Sequence, residues 1–257
     1  LEGDLDLNLV APADFARLDS FIEVTGRIQF ASETANTVPL FQNPNAALGI
    51  DFNLGAEMKA DFVAFPQLRW LKELNLRLSM GGKSIDAFND ITHLLRSRLM
   101  NLENVKELRI FRRLQTVDDE LWLAALGTAT NLDFLSALTR VGQLRVTNND
   151  EIRDIKALKN LASVQKLEIA YNPKLTSLVG LEGLIFVEKL TLSGLAIRDF
   201  TGLNKLKEVT FGLWVQSNPE LVSVKGLENL QALSYFLFRN NDRLPAGTQL
   251  LGQTIEQ

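Results

Sequence analysis

The sequence predicts an α/β solenoid, with a parallel sheet of about ten strands, one per turn, interrupted by helical insertions. Three observations predict it. Leu144, Leu167, Leu190, Leu213 and Phe236 follow one another at steps of 23 residues. Each opens an apolar/x/apolar triplet: Leu144-Arg145-Val146, Leu167-Glu168-Ile169, Leu190-Thr191-Leu192, Leu213-Trp214-Val215 and Phe236-Leu237-Phe238. The grammar returns at the amino end, where Gly3-Asp4-Leu5-Asp6-Leu7 and Gly26-Arg27-Ile28-Gln29-Phe30 are also offset by 23. Such a period is too long for a coiled coil and too short for a domain, so each unit buries its apolar face only by stacking on its neighbours.

Strands are expected near 3–8, 26–31, 48–53, 73–78, 107–111, 143–147, 166–170, 189–193, 209–216 and 235–239. Their second inward residues are Leu7, Phe30, Phe52, Leu76, Ile110, Val146, Ile169, Leu192, Val215 and Phe238. The steps between these are 23, 22, 24, 34, 36 and then 23 throughout, and the two long steps mark insertions. Ile85, Phe88, Ile91, Leu95 and Leu99 recur at helical spacing over 84–100, with Ser84 placed to cap and Asp86 in the first turn. A second short helix is expected over 118–126, opened by Asp118-Asp119-Glu120 and stopped at Gly127. Residues 31–47 read as a loop. In the unit at 206–215, Leu206-x-x-Val209 arrives four residues early, and Val209, Phe211, Leu213 and Val215 then alternate through one long strand.

Five residues after the first inward position stand Asn149, Asn172, Asn218 and Asn241, with a break at Leu195. An asparagine there turns its amide inward to bond the backbone of a tight corner. An apolar arc follows, as in Leu175-Thr176-Ser177-Leu178-Val179-Gly180-Leu181. The strings Asn172-Pro173-Lys174-Leu175-Thr176-Ser177-Leu178 and Asn218-Pro219-Glu220-Leu221-Val222-Ser223-Val224, each running on to Gly-Leu-Glu, resemble the leucine-rich repeats of the receptor L-domain family. The likeness is strong over 138–242, fair over 1–30 and diluted between them. It implies a right-handed leucine-rich-repeat solenoid and a binding role, and it names no ligand.

With 257 residues and 46% hydrophobic content the chain can bury a large core, and solenoids grow in one dimension without splitting, so a single domain over 1–257 is expected. A net charge of −4 provides no field to attract nucleic acid. The longest apolar runs fall short of the ~18–20 residues of a membrane span. Leu1 already occupies the strand position that matches Val24, so any leader is expected to have been removed, and the native protein is expected to continue beyond Gln257. There is no cysteine and no Asn-x-Ser/Thr acceptor. That departs from animal receptor L domains and fits a bacterial or other non-animal surface protein, with a cytosolic scaffold as the alternative.

No catalytic constellation is present. His93 is the single histidine and falls in an expected helix, and the Asp118-Asp119-Glu120 trio is explained by a helix dipole as well as by a metal. No cofactor or metal is called for. The informative chemistry lies outward on the sheet, where side chains alternate with the inward ones. Arg77, Arg109 and Arg145 align into a basic row with Lys166 and Lys189 beyond, while Trp214, Tyr235 and Leu237 form an aromatic and apolar cluster. With Phe111 and Arg239 these residues (Arg77, Arg109, Arg145, Trp214, Tyr235, Leu237) make the expected partner-binding face. The expected function is non-enzymatic recognition of a protein or glycan outside the cell; the alternative is a structural or adhesive solenoid that assembles with other copies.

Overall fold

A computed structural model describes residues 1–10, 14, 18, 23–32, 44–58, 60–102 and 104–256, so the loop expected over 31–47 lies mostly outside the described residues. The chain divides into two compact units, Leu1–Ala129 and Thr130–Gln257. Each is a parallel β-solenoid. Among the described residues the only helical segments are single 3₁₀ turns, such as Leu7–Leu9 and Lys156–Asn160, so the architecture is all-β and not the α/β class expected.

The first unit contains β1 (Leu5–Asp6), β2 (Glu23–Ser32), β3 (Ala46–Glu57), β4 (Phe62–Ala64), β5 (Trp70–Ser79), β6 (Ser84–Ala87), β7 (His93–Met100), β8 (Glu107–Ile110) and β9 (Thr116–Ala124). Its main sheet runs β1-β2-β3-β5-β7-β9, and a second parallel sheet runs β4-β6-β8. The main-sheet register stacks Leu5, Ile28, Ile50, Leu74, Ser97 and Leu121 in one inward column. The second sheet stacks Phe62, Ile85 and Leu108, again at steps of 23.

Both helical insertions are therefore corrected to strand. Residues 84–100 contain β6 and β7, one on each sheet, and 118–126 contains most of β9. The helical spacing has another cause. Ile85 belongs to β6, Phe88 and Ile91 line the corner after it, and Leu99 belongs to β7, so inward residues fall three or four apart because the chain bends around the core. The strand at 107–111 is real but lies on the second sheet, as β8. The steps of 34 and 36 resolve into three ordinary turns carrying Leu76, Leu99, Leu123 and Val146.

Ser97 hid the missing turn, because it stands where the column otherwise holds an aliphatic residue. It is fully buried, and its hydroxyl has no hydrogen-bond partner among the described residues. Removing an unpaired buried hydroxyl recovers its desolvation cost, so Ser97→Ala should leave stability unchanged or raise it by about 1 kcal/mol. Denaturant unfolding checks this, and a loss of more than that amount would mean the hydroxyl is satisfied in solution.

The corner that follows the second sheet is built from phenylalanines. Phe65, Phe88 and Phe111 follow one another at 23 residues, all with positive φ (58°, 58° and 54°) and all buried. The rings of Phe65 and Phe88 stack at 5.3 Å. Left-handed backbone is costly for a bulky residue, and it persists here because the buried rings hold it in place.

The second unit contains β10 (Arg140–Thr147), β11 (Ser163–Asn172), β12 (Phe186–Leu195), β13 (Glu208–Gln216), β14 (Ala232–Leu233), β15 (Phe236–Arg239) and a terminal antiparallel pair, β16 (Gln249–Leu250) with β17 (Gln253–Thr254). Strands β10 to β13 pair in parallel, and β14 and β15 both pair with β13. Leu144, Leu167, Leu190 and Leu213 stack in register, each at most 1% exposed.

The asparagines follow the expected ladder. Asn149, Asn172, Asn218 and Asn241 are buried. Asn172 donates from Nδ2 to the carbonyls of Val146 (2.8 Å) and Ala170 (3.1 Å), while its Oδ1 accepts from the backbone and side-chain nitrogens of Asn149. Asn241 repeats this towards Val215, Arg239 and Asn218. At the break, the Leu195 backbone N–H donates to Asn218 Oδ1. The residue before each rung is left-handed, from Asn148 through Tyr171, Gly194 and Ser217 to Asn240. At the asparagine rungs the inward amides bond the backbone groups that this sharp bend leaves.

Candidate functional site

Strand spacing decides what the sheet of the second unit presents. In β10, β11 and β12 an inward valine is followed three residues later by the first inward leucine (Val141-x-x-Leu144, Val164-x-x-Leu167, Val187-x-x-Leu190), and the two spacer residues both turn away from the core. In β13 the spacer grows to three residues, Thr210-Phe211-Gly212, and the register against β12 shifts between Val187 and Lys189. The extra residue is a bulge, a device that re-aims side chains. Phe211, expected inward by alternation, is 65% exposed.

These spacers form a groove of about 670 Å³ lined by Gln143, Lys166, Phe186, Glu188, Lys189, Thr210 and Phe211. Trp214 borders it. Its ring lies 5.7 Å from that of Phe211 and 5.7 Å from that of Tyr235, with the Lys189 ammonium 4.8 Å from its centroid. Gly212 permits this arrangement, since a Cβ there would stand 2.7 Å from the indole. Trp214 is half-buried while Tyr235 is exposed, as is Phe186. Together they form an open aromatic surface rather than a core.

The sequence-derived face is partly assembled. Arg145, Glu168, Thr191, Trp214 and Leu237 occupy one outward row in register, and Arg239 is exposed one row further on, in register with Gln216. Arg145 is neutralised, its Nε donating to Glu168 at 2.9 Å. The row Arg77-Arg109-Arg145 does not exist. Arg109 sits on the second sheet of the first unit, where it pairs with Glu107 and lies 3.7 Å from Asp86. The Arg109 guanidinium holds the Glu107 carboxyl below its usual range. Phe111 is corrected from outward to fully buried, because it is a member of the left-handed phenylalanine corner. Arg77 is exposed on the main sheet of the first unit, beside a mixed cleft of about 240 Å³ that it lines with Asp51, Asn75, Arg98, Phe52 and Met100.

Charges on the first unit's sheet are largely matched across strands. Asp118, Asp119 and Glu120 do not open a helix; on β9 they face β7, where they meet His93 (3.2 Å), Arg96 and Arg98 (2.9 Å) respectively. His93 also shares a 2.6 Å hydrogen bond with the Thr116 hydroxyl. Arg27 donates to Glu73 at 2.6 Å and holds that carboxyl below its ordinary value, the hydrogen bond acting ahead of the opposing burial. A lowered folded pKa stabilises above the unfolded value of about 4.3 and loses that contribution as pH falls through the folded value. Glu73→Gln should therefore cost about 1 kcal/mol or less at pH 7, and the deficit should close by about pH 3. Thermal unfolding of both proteins at the two pH values measures it, and an equal deficit at both would assign the loss to packing.

Phe211, Phe186, Gln143, Thr210 and Glu188 are site residues that sequence reasoning passed over. A signal was available. Val187 to Val209 is 22 residues while Leu190 to Leu213 is 23, and that mismatch is the bulge. Compared with protein-family models and with curated protein sequences, the chain matches none.

Proposed function

We propose that this chain is a non-enzymatic recognition module, displayed outside the cell, that binds a protein or glycan partner through the sheet face of its second unit. The observation that carries the proposal is the Phe211-Trp214-Tyr235 cluster beside an open groove. Exposed aromatic clusters are uncommon on soluble surfaces and supply a disproportionate share of binding energy. We also infer a leucine-rich-repeat solenoid of the receptor L-domain type. The repeat strings at 172–182 and 218–228 support that assignment, as do the amide-bonded asparagine corners.

Presenting the protein to arrays of glycans and of folded extracellular proteins tests the reading. At least one class should be retained by the native protein and weakened by about 2 kcal/mol or more in Trp214→Ala, with little change in thermal stability. Lys225→Ala, an exposed position on the arc away from the sheet, should bind normally. Normal binding by Trp214→Ala would remove the sheet face as the recognition surface, and unfolding of that variant would assign the indole to the core.

A further inference from the structure

We infer that the groove of the second unit is a subsite for an acidic saccharide, in which a uronate carboxylate lies between Lys166 and Lys189 while a sugar ring stacks beside Phe211. The inference rests on the recognition reading and names the ligand class for that surface. Its first support is an unneutralised charge pair. Lys166 and Lys189 are directly opposite in the β11–β12 register, where strands lie about 4.8 Å apart. Like charges in that relation are destabilising. Elsewhere on the sheets, four outward arginines meet a carboxylate: Arg27 with Glu73, Arg96 with Asp119, Arg98 with Glu120, Arg145 with Glu168. Neither lysine forms an ion pair among the described residues; Lys189 instead lies over the indole of Trp214. Two lysines that line one groove without a carboxylate partner supply the positive charge that an anion needs.

The rest of the lining favours a sugar over a peptide. Five of the seven residues are polar, and they offer both donors and acceptors: the Gln143 amide, the Thr210 hydroxyl, the Glu188 carboxylate and the two ammonium groups. The two apolar members, Phe186 and Phe211, present flat rings and do not enclose a pocket for an apolar anchor. A sugar ring has complementary parts, hydroxyls around its edge and a C–H face for an aromatic platform. Strand addition is closed to a peptide here, because β11 and β12 are hydrogen-bonded to a neighbour on each side. Glu188 leaves the lining with one net positive charge, which matches one carboxylate per bound residue. A volume of about 670 Å³ falls within the range of small-ligand sites.

The experiment titrates the whole chain with tetragalacturonate, with its fully methyl-esterified form and with tetraglutamate, following tryptophan fluorescence and calorimetric heat. The uronate should bind, the ester at least about tenfold more weakly, and added salt should weaken the uronate alone. Lys166→Gln and Lys189→Gln should each loosen uronate binding about tenfold without lowering thermal stability, and Glu188→Gln should tighten it. Equal binding of acid and ester, or tetraglutamate binding as tightly as the uronate, would overturn the acidic-saccharide assignment. Either result would leave the recognition reading standing, since that is judged by the array and Trp214→Ala. Failure of the uronate to bind at all would overturn the acidic-saccharide assignment too.

Discussion

Leu167→Ala should destabilise the second unit by about 2–5 kcal/mol, the largest effect expected of any single truncation on its sheet. Leu167 is 1% exposed and sits in an interior turn, in register with Leu144 below and Leu190 above. The cavity left by truncation is therefore walled on both sides by strands that cannot collapse into it. In a solenoid, stability is a sum of turn and nearest-neighbour terms, and an interior residue contributes to two interfaces at once. Phe236, the corresponding residue on β15, is only half-buried, so Phe236→Ala should cost less despite removing a larger side chain. Denaturant unfolding of the two variants gives the comparison. An equal or larger loss at Phe236 would show that the carboxy-terminal turn, and not the interior column, limits stability.

Asn172→Ala should cost about 3 kcal/mol, at the upper end for a buried polar truncation. One amide serves four partners here. Its nitrogen satisfies the carbonyls of Val146 and Ala170, and its oxygen accepts from the backbone and side chain of Asn149. Alanine removes all of these bonds and leaves fully enclosed backbone groups unpaired. Asn172→Asp tests the same point from the other side, because a carboxylate keeps the acceptor but cannot donate to the two carbonyls. It should be at least as damaging at neutral pH. If either variant unfolds like the native protein, the corner is held by its backbone alone.

Much of this fold is legible in the sequence, and the places where it is not have identifiable causes. The spacing from Leu144 to Phe236 is readable because every turn has the same length and every inward pair the same alternation. Between Leu76 and Val146 the turn length is nearly the same, yet one turn disappears from view. A serine occupies the inward position at 97, and Leu108 and Ile110 on the second sheet imitate the missing pair. Ile85, Phe88 and Ile91 then look helical, since spacing alone does not separate a helix face from a chain bending around a core. The left-handed phenylalanine at 111 is invisible to alternation altogether.

The candidate site divides along the same line. By itself the sequence determined that the protein is a stack of 23-residue turns, that its asparagines are structural, and that Trp214, Tyr235 and Arg145 face away from the core. Those conclusions need only local periodicity, which a strand imposes on its own side chains. Tertiary structure alone decided which outward residues meet. A one-residue bulge in β13 turned Phe211 into the groove, Gly212 let the indole lie against Lys189, and Glu168 neutralised Arg145 while Lys166 and Lys189 were set in register with no carboxylate partner. Cross-strand neighbours are set by register between turns, and a shift of one residue in one strand redirects every contact across it.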